Sequence, residues 1–168
     1  MAVVSEAIPA RGLRSLSGSL DIETSAEDAF ALLCCVEKWP VWLSFLRSAR
    51  LADKRSPLAI GSEVVVRSSI PGEEEQLYEV DQLISNFHVS LVGAYSVRHR
   101  IDFRLERRTT RSRLHARISY PAYHGRIGAW LDGLRHGRRL ATALDQSLTL
   151  FRGLVEYHAT SEPVPIEG

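Results

Sequence analysis

The chain has 168 residues, 45% of them hydrophobic, with 21 Lys and Arg set against 20 Asp and Glu. A chain of this length makes one domain that buries roughly 68–70% of its unfolded surface, which excludes a disordered body and any need for disulfides or a metal to fold. No apolar run approaches the ~18–20 residues that span a bilayer, and the balanced charge excludes a globally basic nucleic-acid binder. Segment 1–11 lacks the basic and apolar regions of a secretory signal, so a cytoplasmic address is expected. Segment 159–168 holds two prolines and two acids and little apolar content. Both ends read as flexible tails on a single domain at 12–158.

In chain order, 13–22 alternates, with Leu16, Leu20 and Ile22 on one face and Ser15, Ser17, Ser19 and Asp21 on the other, which predicts a half-buried strand. Ser25 then suits a helix N-cap, with Glu27 and Asp28 in the first turn. Phe30, Leu33 and Val36 extend an apolar stripe to Trp39-Pro40, where proline breaks the helix, and a second short helix is expected over 40–46. Strands follow at 63–70 and 77–84 around a Pro71-Gly72 turn, and at 87–92. The clearest strand is 95–106. It puts Tyr95, Val97, His99, Ile101, Phe103 and Leu105 on one face and Ser96, Arg98, Arg100, Asp102, Arg104 and Glu106 on the other. A last strand at 112–120 aligns Leu114, Ala116, Ile118 and Tyr120.

From 126 to 158 the period becomes helical. Ile127, Leu134, Ala141, Leu148 and Val155 recur every seven residues, with Trp130, Gly137, Leu144, Phe151 and His158 three places later. A heptad of this kind could build a coiled coil, but the strands before it have a face to cover, so the helix is expected to pack on its own sheet. Cys34 and Cys35 are adjacent, so they cannot clip a loop or build a zinc site, and they read as small packing residues.

Strand, two short helices, a run of antiparallel strands and one long final helix: this order resembles the helix-grip fold of the START/Bet v 1-like superfamily, in its polyketide cyclase/dehydrase-like branch, over about 13–157. The stretch from Ile22 through Ser25 to Phe30, the run Val36-Glu37-Lys38-Trp39-Pro40-Val41-Trp42-Leu43, Ile60-Gly61-Ser62 before a strand, and 148–156 carry the resemblance. It implies an α+β fold in which a curved antiparallel sheet wraps the long C-terminal helix. It also implies an internal cavity for a hydrophobic small molecule, whether lipid, polyketide or other aromatic. Some members of the superfamily catalyse cyclisation or dehydration. None of these stretches is a catalytic signature, and fold does not fix function.

The residues point to the same chamber. Gly137 stands on the inward seam of the helix, where a core position would normally carry a large side chain. His99 is the single titratable group in its apolar row and can exchange a proton near neutrality; the plainer reading is a core histidine satisfied by a carbonyl or by Tyr95 or Tyr120. Trp39 and Trp42 bracket Pro40 near an expected mouth, or anchor the short helices. Tyr78 and Tyr120 fall on inner faces, where either hydroxyl could meet a ligand carbonyl, and Gln82 shares parity with Tyr78. Tyr95, Phe103, Trp130 and Leu144 complete the expected lining. Enzyme and carrier both stay open. An enzyme here would need no cofactor, with His99 as acid/base and Tyr78 or Tyr120 polarising a carbonyl. No motif for a metal or a nucleotide occurs, and neither is expected.

Arg98, Arg100, Arg104, Arg107, Arg108, Arg111, Arg113 and Arg117 crowd one hairpin, with only Asp102 and Glu106 to offset them locally. Trp42-Leu43-Ser44-Phe45-Leu46 also resembles coenzyme Q-binding-like proteins with ribosome-associated kin. That implies, as the alternative function, an RNA- or protein-binding adaptor using this arginine-rich outer face. A solvated sheet surface laced by cross-strand pairs is the expected reading, with no nucleic-acid binding at physiological salt.

Overall fold

The computed structural model describes residues 3–7, 13–68, 75–121 and 137–161. Strand β1 (Val3–Ala7) lies antiparallel to β2 (Leu13–Ile22), with Val3 opposite Ser19. Residues 3–7 are therefore not part of a loose tail. Five residues are too few to leave a legible alternation, and the open edge of β2 supplies the hydrogen bonds that order them.

Ser25 caps helix α1 (Ala26–Cys34), its Oγ accepting from the Asp28 N–H at 3.1 Å. A 3₁₀ turn (Val36–Lys38) leads into the short α2 (Trp39–Trp42), with Pro40 in its first turn. The second helix expected to reach residue 46 ends at Trp42, and Leu46–Leu51 forms a strand, β3. A register shift between Leu46 and Ser48 disturbs the alternation there, which hides the strand from periodicity.

The sheet continues with β4 (Glu63–Ser68), β5 (Gln76–Ile84), β6 (His88–Gly93), β7 (Ser96–Arg107) and β8 (Ser112–Pro121). Among the described residues eight strands form one sheet, antiparallel throughout, in the order β1-β2-β8-β7-β6-β5-β4-β3. The expected Pro71-Gly72 turn lies outside the described residues. Asn86 takes a φ of 58° in the β5–β6 turn, a left-handed conformation that asparagine tolerates better than most residues. In β5 the pairing shifts between Val80 and Gln82. This bulge turns Gln82 outward and Leu83 toward the core, so Gln82 does not share the face of Tyr78 and Val80.

Helix α3 (Gly137–Ser161) lies against β2, β1, α1 and α2 on the inner face. The first part of the expected helix, 126–136, is outside the described residues. At its other end α3 runs past the expected boundary at 158, because Thr160 and Ser161 donate back to the Glu156 and Tyr157 carbonyls at 3.0 and 2.8 Å. Two distant ties fix α3. The Ser44 N–H donates to the Ser147 Oγ at 3.2 Å, and the Glu23 N–H donates to the Glu156 Oε1 at 3.0 Å.

Candidate functional site on the inner face

Three rows of side chains define the space between sheet and helix. On β7, Leu105, Phe103 and Ile101 are buried and His99 is half-buried. On β8, Leu114 and Ala116 are buried and Ile118 is half-buried. On α3, Val155, Phe151, Leu148 and Leu144 are buried and Ala141 is half-buried. Register aligns the first two rows, with Leu105 opposite Leu114, Phe103 opposite Ala116 and Ile101 opposite Ile118. Solvent access rises in the same direction on all three elements, toward His99, Ile118 and Ala141.

The other end is closed by aromatic rings. Trp39 and Trp42 meet the Phe103 ring edge-on at centroid distances of 5.9 and 5.6 Å, and Trp42 meets Phe151 at 4.8 Å. Such contacts add to area burial by about 0.5–1.5 kcal/mol per pair. Both tryptophans are fully buried, so they do not stand at a mouth: α2 drives them into the core as a wedge. Their polar edges differ. Trp39 Nε1 donates to the Leu33 carbonyl at 2.9 Å, whereas Trp42 Nε1 reaches no acceptor among the described residues.

Tyr78 is buried opposite Val64, its hydroxyl donating to Gln76 Oε1 at 3.2 Å. Burial holds the His99 imidazole below its ordinary pKa, so it is neutral at pH 7. The β6–β7 pairing jumps there, from Val92–Arg100 to Gly93–Ser96. Tyr95 does not join the inner row. It sits in the turn before β7 and is 91% exposed, because the chain reverses at Ala94-Tyr95. Phe103 and Leu144 occupy the inner face as expected from their rows. The backbone of Tyr120 belongs to β8 and Gly137 opens α3, but their side-chain surroundings, and Trp130 altogether, fall outside the described residues. Ile118 and Ala141 stood in their predicted rows without being singled out, since periodicity does not say which end of a row stays open. The Cys34 thiol is half-buried and pushed up to about 11, first by burial and then by Cys35.

The arginine hairpin is largely neutralised from other parts of the chain. Arg113 forms a two-pronged contact with Asp21 at 2.8 and 2.9 Å. Arg111 pairs with Glu23, Arg107 with Glu27, and Arg108 with Glu106 and Asp21. Asp102 and Glu106 are thus joined by carboxylates of β2, the β2–α1 connection and α1 that are close only in the fold. Among the described residues no cluster of His, Cys, Asp and Glu is arranged to hold a metal, and no helix is long and apolar enough to cross a membrane.

No protein-family model matches the chain, and neither does any curated protein. Solved structures do. The Zhui aromatase/cyclase from Streptomyces sp. R1128 superposes with a TM-score of 0.67 at 13% identity, over 89% of this chain and 97% of that one. A polyketide cyclase-like protein from Corynebacterium glutamicum gives 0.59 at 15% identity, over 88% and 94%. A START superfamily protein from Mycobacterium smegmatis gives 0.60 at 14%, over 85% and 97%. A curved antiparallel sheet around a final helix, with short helices after the strand that begins at Leu13, is thus the helix-grip fold of the START and polyketide cyclase-like proteins.

Proposed function

We propose that this chain binds a hydrophobic small molecule, a lipid, polyketide or other aromatic, between the sheet and α3 at the end marked by His99, Ile118 and Ala141. The observation that carries this reading is the joint rise in solvent access along β7, β8 and α3, against a fully packed opposite end. Pockets of this kind combine apolar walls with a few polar groups. Phe103 and Leu144 supply walls, with Trp39 and Trp42 beneath them. The half-buried His99 imidazole supplies the polar group at this end. For a ligand with several carbonyls, His99 is the group to move a proton and Tyr78 or Tyr120 the group to polarise an oxygen. Folding a flexible chain against fixed walls can supply much of a cyclisation rate.

Native mass spectrometry of the purified protein should reveal a co-purifying apolar mass, and titration with an apolar fluorescent dye should saturate. Gly137→Leu, which adds volume near this end, should weaken dye binding at least tenfold with the melting temperature held. Dye binding unchanged in Gly137→Leu and in Ala141→Leu would overturn the reading.

A further inference from the structure

The opposite face of the sheet carries a groove of about 640 Å³ across β2, β8 and β7. Register builds it in rows. Ser19 lies beside His115 and then Arg104; Ser17 lies beside Arg117 and then Asp102; Ser119 lies beside Arg100. On this face β2 contributes serines, too short to fill the space next to the long side chains of β7 and β8.

Two of the guanidinium groups are held in place from behind. Arg104 Nε sits 3.1 Å from Asp102 Oδ1, and the other Asp102 oxygen is fixed by the buried His88 Nε2 at 2.9 Å. Arg100 is held by Asp81 at 2.8 Å and donates to the buried Ser90 Oγ at 2.8 Å. Arg117 is exposed and has no carboxylate partner among the described residues. Four arginines further along the hairpin, Arg107, Arg108, Arg111 and Arg113, are matched with acids. Arg100 and Arg104 are thus ion-paired too, and the Asp102 carboxylate lines the groove beside them, so among the described residues Arg117 supplies the unmatched guanidinium at this concave spot.

We propose that this groove binds a soluble phosphorylated small molecule, its phosphate taken by Arg117 with Arg100 and Arg104 alongside and serine hydroxyls donating. Guanidinium forks match phosphate oxygens bidentately, and charge-assisted bonds to pre-positioned donors are the strong ones. An extended nucleic acid needs a track of unpaired cations, which the neutralised hairpin does not offer. A membrane surface needs apolar side chains to insert, and Gly18 and Ala116 are the only nonpolar residues in the lining. The site lies on the other face from the proposed ligand site and does not rest on that reading.

The test is an amide-resolved NMR titration of the full chain with pyrophosphate at 150 mM salt (about an 8 Å screening length). Saturable shifts are expected at Ser17, Ser19, Arg117 and Ser119. Arg117→Ala should weaken binding about tenfold, Arg117→Lys by less, and Arg107→Ala should leave it unchanged. The proposal is overturned by the absence of saturable shifts, or by equal losses in Arg117→Ala and Arg107→Ala. It is overturned equally if a single-stranded RNA binds with a steep salt dependence, or if phosphatidate vesicles bind the chain where pyrophosphate does not.

Discussion

The two ends of the inner face are built from the same rows, yet they differ in what fills them. At one end Phe103 lies against two indoles, with Phe151 against Trp42, and each side chain is sealed from water. At the other the rows pass to His99, Ile118 and Ala141, a polar ring and two smaller aliphatic groups, and water gains access. Full burial of one Phe or Leu contributes about 1.5–3 kcal/mol. The aromatic wedge can therefore anchor the fold while the far end leaves room for a ligand. Stability and function occupy opposite ends of one layer.

The comparison breaks most visibly at the wedge. Phe103→Ala should cost about 3–5 kcal/mol in urea unfolding, since two indoles lose their ring partner; a loss under 1 kcal/mol would mean the wedge is not the anchor. His88→Leu strips the buried Asp102 of one partner and should cost about 1–3 kcal/mol by the same measurement. At the open end Ala141→Leu should change stability by less than about 1 kcal/mol while reducing dye binding. A penalty reaching the ~1–3 kcal/mol of an overpacked core would put this end in the same class as the wedge.

Smaller effects sharpen the picture. His99 has its pKa lowered by burial, so the unfolded chain takes up a proton first as pH falls. Its neutral form supports the fold fully above about pH 6.5, and that support is lost as pH drops from there through the lowered value. His99→Phe should flatten this part of the stability–pH curve and any pH dependence of dye binding in the same window. Asp21→Asn should move the urea midpoint least of all. The Arg113 hydrogen bond holds the Asp21 carboxyl below 3.8, so its contribution exists above that pH and disappears as the acid range is entered. Unfolding curves of the variant and the parent should converge in acid.

Periodicity made the helix-grip order legible because most elements are long and one-sided: 13–22, 95–106, 112–120 and the final helix. It failed where pairing slips. Bulges at Leu46–Ser48 and Val80–Gln82 shift the side-chain phase, concealing β3 and misplacing Gln82. The alternation of β7 points Tyr95 inward in sequence, but the strand begins at Ser96 and Tyr95 lies in the turn before it. For the site, the inner rows were readable, but the open end was not, because exposure at His99 depends on what lies across the space rather than on its own neighbours. Likewise the arginine cluster looks unbalanced in sequence because Asp21, Glu23 and Glu27 are distant in the chain and adjacent only in the fold.

The ties between α3 and the early chain have a consequence for synthesis. The Ser44–Ser147 and Glu23–Glu156 hydrogen bonds join residues 103 and 133 positions apart. Until the final helix has left the ribosome, the apolar side of the sheet lacks the cover that α3 provides. At about 5–20 residues per second, the 25 residues of α3 alone take on the order of a few seconds to make. During that interval Trp42 and Phe103 lack the Phe151 face of their cluster. A nascent chain halted before residue 137 should be a stronger chaperone client than the released full chain.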